Sequence, residues 1–184
     1  MKHLEEKKIL TDAQHGFRKR RSCESQLIIT VDDLAQNIDN KSQTDVILLD
    51  FSKAFDKVPH ERLLAKVNHY GIRDNNIIWI RNFLQSRSQQ VILENSKSNV
   101  TSVDSGVPQG SVLGPLLFSL YINDLPNAIS NGSTARLFVD DCVLYKKIKS
   151  HQDTLDLLAD LNLQQVGKDH GRWSFILANA KLLT

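Results

Sequence analysis

Three carboxylates occupy positions that invite a chemical explanation. Asp140 and Asp141 are adjacent and split two short apolar runs in LFVDDCVLY, residues 137 to 145. Asp50 closes a third run, TDVILLD, residues 44 to 50. Ala135 to Val139 and Cys142 to Lys147 read as two strands. The acid pair then lies at the hairpin turn between them, where aspartate is a favoured type. Neighbouring carboxylates repel unless a cation neutralises them, and hard anionic oxygens suit Mg2+ or Mn2+. Asp50 poses a related problem, because a charge ending a buried strand is costly unless it is paired or binds metal. If the strands are sheet neighbours, about 4.8 Å apart, acids distant in sequence can share a pair of ions. Such a pair activates an attacking oxygen and stabilises a leaving oxygen in phosphoryl chemistry. The plain alternative for an isolated Asp-Asp pair is a solvated turn, so the rest of the sequence has to decide.

The surrounding chain can position such a site. Its 184 residues suffice for one domain with a sizeable core, and 41% hydrophobic with 24% charged residues is a globular composition. Net charge is only +2, but residues 1 to 21 hold seven basic residues against three acidic ones. That lobe suits phosphates, with a solvated surface cluster as the equal alternative. Cys23 and Cys142 sit in no zinc-binding spacing. Few thiols and no signal peptide point to an intracellular setting, nuclear or cytoplasmic. The most apolar stretch, Val112 to Ile122, is too short to span a bilayer, so no membrane partner is expected.

Thr44 to Asp50 reads as a central strand packed on both faces. Ser22 suits the N-cap of a helix whose Leu27, Val31, Leu34 and Ile38 would form its buried face, and Asp39 to Lys41 end it. Pro59 to Tyr70 reads as a helix with Leu63, Leu64 and Val67 inward, stopped by Gly71. Asn75 to Ser86 reads as a second amphipathic helix. Gln89 to Glu94 and Asn99 to Val103 read as a hairpin. SGVPQGSVLG, residues 105 to 114, is a glycine- and proline-rich loop with a set backbone path, leading into a buried helix from Pro115 to Asp124. Asp124 to Ser133 reads as connection. His151 to Val166 reads as a helix with Leu155, Leu158 and Leu161 inward, and Trp173 to Leu177 as a strand. Asp56 would cap or brace the turn after Asp50, and Asp124 would end its helix. His60 and the other histidines have no ligand partner at useful spacing.

DVILLDFSKAFDKVPH, SGVPQGSVLGPLLFSLYINDL and RLFVDD, in that order and after QHGFRKRRSCESQL, closely resemble the reverse transcriptases of non-long-terminal-repeat retrotransposons. The resemblance covers about Leu10 to Lys181. It implies an α+β fold: a polymerase palm with a small antiparallel sheet backed by helices, partial fingers and no thumb. Residues 1 to 43 would be partial fingers and 44 to 184 mainly palm. It implies RNA-directed DNA polymerase activity by template-dependent two-metal nucleotidyl transfer, with an RNA template, a DNA primer and deoxynucleoside triphosphates as partners. Asp50 and Asp140 would be the principal ligands of two Mg2+ or Mn2+ ions, Asp141 a secondary acid, and the Phe51 carbonyl an additional ligand. Phe55 would lie beneath the incoming sugar as a steric gate against the 2′-hydroxyl, a role compatible with a core aromatic. Gln109 and Gly110 would line the nucleotide pocket. Arg18 and Arg21, among the basic residues 18 to 21, would hold the triphosphate or template backbone. Lys181 would stand near the triphosphate, with an ordinary surface lysine as its alternative.

The sequence departs from the family pattern at its end. Leu177 and Ala178 replace the usual phenylalanine and asparagine after Trp173, and QQVGKDHGRW lacks the usual pattern rich in tryptophan and charge. Val139 replaces the common alanine before the two acids. Fewer phosphate contacts would weaken the grip on primer-template. The rivals are a catalytically silent remnant of such a polymerase and a three-acid metal-dependent nuclease. The nuclease gives no reason for SGVPQGSVLG. A serine hydrolase is excluded, because GSVLG is not the G-x-S-x-G elbow.

Overall fold

A computed structural model describes residues 2 to 129, 131 to 166 and 177 to 183. In chain order the helices are α1 (Lys2–Glu6), α2 (Cys23–Asp39), α3 (His60–His69), α4 (Asn75–Leu84), α5 (Gly114–Ile122), α6 (Leu125–Ala128) and α7 (His151–Val166). The strands are β1 (Gln43–Phe51), β2 (Arg87–Gln89), β3 (Ile92–Leu93), β4 (Ser96–Lys97), β5 (Thr101–Val103), β6 (Thr134–Phe138), β7 (Asp141–Ile148) and β8 (Leu177–Leu183). The chain folds as mixed helix and small antiparallel sheets, in two compact units: 1 to 53 with 122 to 184, and 54 to 121. Among the described residues no helix is long and apolar enough to cross a membrane. The strand expected from Trp173 lies, up to Leu177, outside the described residues.

The first unit is built on a four-stranded antiparallel sheet in the order β6-β7-β1-β8. Register follows the alternation of side chains. Leu49 pairs with Cys142 and Ile47 with Leu144, while Leu137 pairs with Cys142 and Ala135 with Leu144. All six are buried and share one face. Each fully buried leucine on that face contributes about 1.5–3 kcal/mol. The other face is closed at one end, where α2 covers the buried Tyr145, and open at the other, where Leu48 is 41% exposed and Asp50 is exposed. β1 is therefore not packed on both faces, as its continuous apolar run suggested. Its period of burial is two, and its open face ends in an acid.

Both long helices of this unit turn a different stripe inward from the one expected. In α2, Leu27, Val31 and Ile38 are exposed, whereas Gln26 is buried and Asp33 faces the sheet. In α7, Leu155 and Leu158 are exposed, whereas Leu157 and Asp160 are buried. Ionic partners set the phase. Arg136 on β6 takes Asp33 at 2.9 Å, and the buried Lys146 on β7 takes Asp156 at 3.1 Å and Asp153 at 3.7 Å. A buried ammonium without an anion costs more than an exposed leucine, so the acidic stripe wins the inward position. The Ser22 cap forms as a capping box with Ser25, and Asn40 caps the other end of α2. The stretch read as pure connection contains α6, with Pro126 in its first turn.

The second unit pairs α3 and α4, and α3 buries Leu63, Leu64 and Val67 as its spacing predicts. The expected hairpin is split into two short ladders, β2 with β5 and β3 with β4.

Candidate active site

The β6–β7 hairpin closes at the pair Phe138 and Asp141, leaving Val139 and Asp140 as a two-residue turn. Asp141 is thus the first residue of β7 and not part of the loop. Val139 has φ +60° and Asp140 has no positive φ, the pattern of a II′ turn, which favours glycine at its first position. A β-branched residue held there stores strain of about 1–3 kcal/mol and persists only where its surroundings over-determine it.

Those surroundings come from the segment before α2. His15 N–H donates to the Leu137 carbonyl at 2.9 Å, and Leu137 N–H donates to the Ala13 carbonyl at 2.9 Å, adding a short parallel bridge to the edge of β6. Gln14, 1% exposed, sends its side chain to the turn. Its Oε1 accepts from Val139 N–H at 2.9 Å and from Gly16 N–H at 2.7 Å, and its Nε2 donates to the Val139 carbonyl at 3.2 Å. A Cβ on Gly16 would stand 2.4 Å from Val139 Cγ2 and 2.7 Å from its nitrogen, so only glycine fits. The sequence analysis gave Gln14 and Gly16 no role of their own. The available signal was a glutamine two residues before a glycine in QHGF.

Asp50 meets the hairpin tip through the register. The β1–β7 ladder ends at the Leu49–Cys142 pair, so Asp50 on β1 and Asp141 on β7 are each the next residue beyond it, and both are exposed. On its other side Asp50 pairs with Asn179, where the register of β8 slips by one residue before Phe51. Bulges of this kind end regular pairing and re-aim side chains. Desolvation, then the charges of Asp140 and Asp50, push the Asp141 carboxyl above its ordinary range. The three acids, drawn from two remote stretches, therefore share one electrostatic environment. Among the described residues no group of three or more His, Cys, Asp or Glu side chains is placed where it could hold a metal ion. The donor chemistry nonetheless fits a hard divalent cation, since carboxylate oxygens dominate and their mutual repulsion is what such an ion relieves.

At the far end of the same face lies a compensated cluster. Arg136 donates to Asp33 at 2.9 Å and to the Tyr145 hydroxyl at 3.2 Å, and Tyr145 donates to Asp33. Desolvation of Asp33 is outweighed by these hydrogen bonds, which hold its carboxyl below the ordinary range. Burial, then the bond to Asp33, pushes the Tyr145 hydroxyl up to about 12.

The basic run lines a groove of about 760 Å³ with Lys8 and Asp12. Arg18 donates to the Thr11 carbonyl at 2.6 Å, and Arg21 pairs with Asp12 at 2.6 Å, so both guanidinium groups are engaged within the chain. Lys19 and Arg20 are exposed and form no ion pair among the described residues. Lys181 lies on β8, its backbone in register with Leu48.

In the second unit the glycine-rich loop is clipped to the turn after β1. Gly106 N–H donates to the Val58 carbonyl at 2.8 Å, Val107 N–H to the Phe55 carbonyl at 2.8 Å, and Ser105 Oγ to the Asp56 carbonyl at 2.7 Å. Asp56 thus braces the turn through its backbone. Gly106, at φ +88°, lies so close to Asp56 that a Cβ would fall 2.7 Å from its carbonyl oxygen. His60, for which the sequence suggested no role, is buried and bonds the Gly106 carbonyl at 2.9 Å, as does Arg87 at 2.7 Å. Gln109 and Gly110 are exposed, and Gln109 borders a cleft of about 320 Å³ shared with Arg87, Ser88 and Pro108. Phe55 is half-buried and stacks on the buried Phe118, centroids 4.6 Å apart. Asp124 stands at the N-cap position of α6.

Comparison with known proteins gives this arrangement a lineage. The family model described as "Reverse transcriptase (RNA-dependent DNA polymerase)" matches residues 1–183. The chain belongs to the reverse transcriptase family. It is 36% identical over 129 residues to the probable RNA-directed DNA polymerase from transposon BS of Drosophila melanogaster, covering 67% of this chain and 14% of that protein. It is 32% identical over 167 residues to the corresponding protein of the X-element of the same species, covering 85% of this chain and 18% of that one. The chain therefore spans less than a fifth of these relatives. Among solved structures, telomerase from Candida albicans in complex with a fragment of telomeric RNA shares the fold, with TM-score 0.70 and 10% identity over 99% of this chain and 33% of that one. Like reverse transcriptases generally, the family relies on divalent metal ions.

Proposed function

We propose that the chain is the palm and partial fingers of a non-long-terminal-repeat retrotransposon polymerase that copies an RNA template into DNA. The observation carrying this reading is that the charges of Asp140 and Asp50 both bear on the Asp141 carboxyl, with Asp50 next beyond the last β1–β7 pair and Asp140 in the adjoining turn. Clustered carboxylates whose mutual repulsion a divalent cation would relieve are what a metal-dependent phosphoryl-transfer site needs.

Asp50, Asp140, Asp141 and the Phe51 carbonyl would hold two Mg2+ or Mn2+ ions, which lower the pKa of a primer 3′-hydroxyl and neutralise charge on the leaving pyrophosphate. A bond forms between the 3′-oxygen and the α-phosphorus as the bond to pyrophosphate breaks, and the hydroxyl proton passes to solvent. Phe55, fixed by its stack on Phe118, would fill the space a 2′-hydroxyl needs. Gln109 and Gly110 would line the base pair without reading its sequence, which the template selects by pairing. Lys19 and Arg20 carry the free charge of the basic groove and would meet phosphate, with Arg18 and Arg21 shaping its wall. Lys181 would serve the triphosphate.

Primer extension on poly(rA) with oligo(dT) and Mg2+, comparing the chain with Asp140→Ala, tests the reading. Deoxythymidylate incorporation that is lost in the variant is expected. Equal incorporation by both would overturn it, and none by either would overturn it in favour of a silent remnant.

A further inference from the structure

The residues around Val139 carry a role that the metal-ligand assignment leaves open. Resting on the polymerase reading, we infer that Gln14 is a positioning residue that sets the orientation of the Val139–Asp140 peptide and so aims the Asp140 carboxylate. Val139 is 8% exposed, so its N–H and carbonyl are shut off from most of the solvent. A two-residue turn uses neither group for its closing pair, and the strands on either side are already paired. Gln14 meets both, the N–H at 2.9 Å and the carbonyl at 3.2 Å.

The geometry of the two contacts makes the choice specific. The II′ and I′ turns differ in φ at the second central residue and in the direction of the peptide joining the two. Here that peptide joins Val139 to Asp140. Its carbonyl is the acceptor for Gln14 Nε2, so rotating it would break that bond inside a buried site. Gln14 is itself held, because its Oε1 also accepts from Gly16 N–H at 2.7 Å and its backbone lies in the bridge to Leu137. Gly16 completes the clamp by letting the segment approach Val139 without a Cβ between them. A side chain that touches no reacting atom thereby controls the residue next to one. Supporting groups behind metal ligands are worth about 10–100-fold in affinity or rate.

The test compares the wild-type chain with Gln14→Met, which keeps the volume and removes every side-chain hydrogen bond to Val139 and Gly16, and with Gln14→Met/Val139→Gly. Glycine adopts φ near +60° at no cost, so the double variant holds the II′ turn without the clamp. Mn2+ binding is read by electron paramagnetic resonance, and kcat and KM for the nucleotide by primer extension. Folded fraction is read by circular dichroism. Gln14→Met is expected to bind Mn2+ about tenfold more weakly and to lose about tenfold in kcat with KM unchanged, and the double variant is expected to recover most of both. Wild-type kcat and Mn2+ affinity in Gln14→Met would overturn the assignment. So would losses that follow the folded fraction and are deepened by Val139→Gly. A wild-type chain that neither binds Mn2+ nor extends primer defeats the polymerase reading itself, and this assignment with it.

Discussion

The two ends of one face of the four-stranded sheet solve opposite electrostatic problems. At one end Asp33, Arg136 and Tyr145 bond one another, and the carboxyl of Asp33 lies below its ordinary range. At the other, Asp50, Asp140 and Asp141 gather, none of them in an ion pair among the described residues, and the carboxyl of Asp141 lies above its range. The same residue type on the same face is thus stabilised as an anion in one place and burdened as an anion in the other. The compensated end fastens α2 to β6 and β7. Under the proposed function, the burdened end would take its counter-charge from bound divalent cations.

The sharpest way to break this comparison is at the burdened end. Asp50→Asn is expected to lower kcat in primer extension about a thousand-fold, equivalent to about 4 kcal/mol of transition-state stabilisation, while leaving the thermal midpoint unlowered. A fall in both together would mean that Asp50 also serves the fold. Arg136→Met probes the other end. It leaves Asp33 and Tyr145 without their cation and should cost about 1–2 kcal/mol in urea denaturation, with kcat of the folded chain unchanged. A matching loss of kcat would show that the ends work as one unit.

Asp141→Asn gives the smallest effect and the clearest sign. The folded-state pKa of Asp141 lies above its ordinary 3.8. Between those two values the folded chain binds more protons than the unfolded one, so stability falls as pH rises through that window. Removing the charge should therefore raise the thermal midpoint at neutral pH without divalent cation by about 1–2 °C, a modest gain because the side chain is solvent-screened. The gain should disappear below pH 3.8, where both forms are uncharged. Thermal melts across pH read it directly.

What could be read from the sequence was what is decided locally. The β1 run, the Asp-Asp hairpin, the Ser22 cap and the inward leucines of α3 each depend on residues a few positions apart. The facing of α2 and α7 was misread because their exposed leucines look like core, while the partners that set their phase are remote. Asp33 answers to Arg136, 103 positions away. The acids were legible as candidates because an adjacent pair and a strand-ending carboxylate are conspicuous. Gln14 was not, because its task exists only once Val139, 125 positions on, folds beside it.

The shortness of the Val139–Asp140 turn has a consequence for how this chain can change over generations. Exchanging either residue alters strain or charge by degrees. Adding or deleting one would slide β7 by a single step against β6, and alternation would then invert every side chain beyond it. Lys146 would leave Asp156 and Asp153, and Asp141 would go down among the leucines. Drift at this tip is therefore confined to spelling, and its length is fixed.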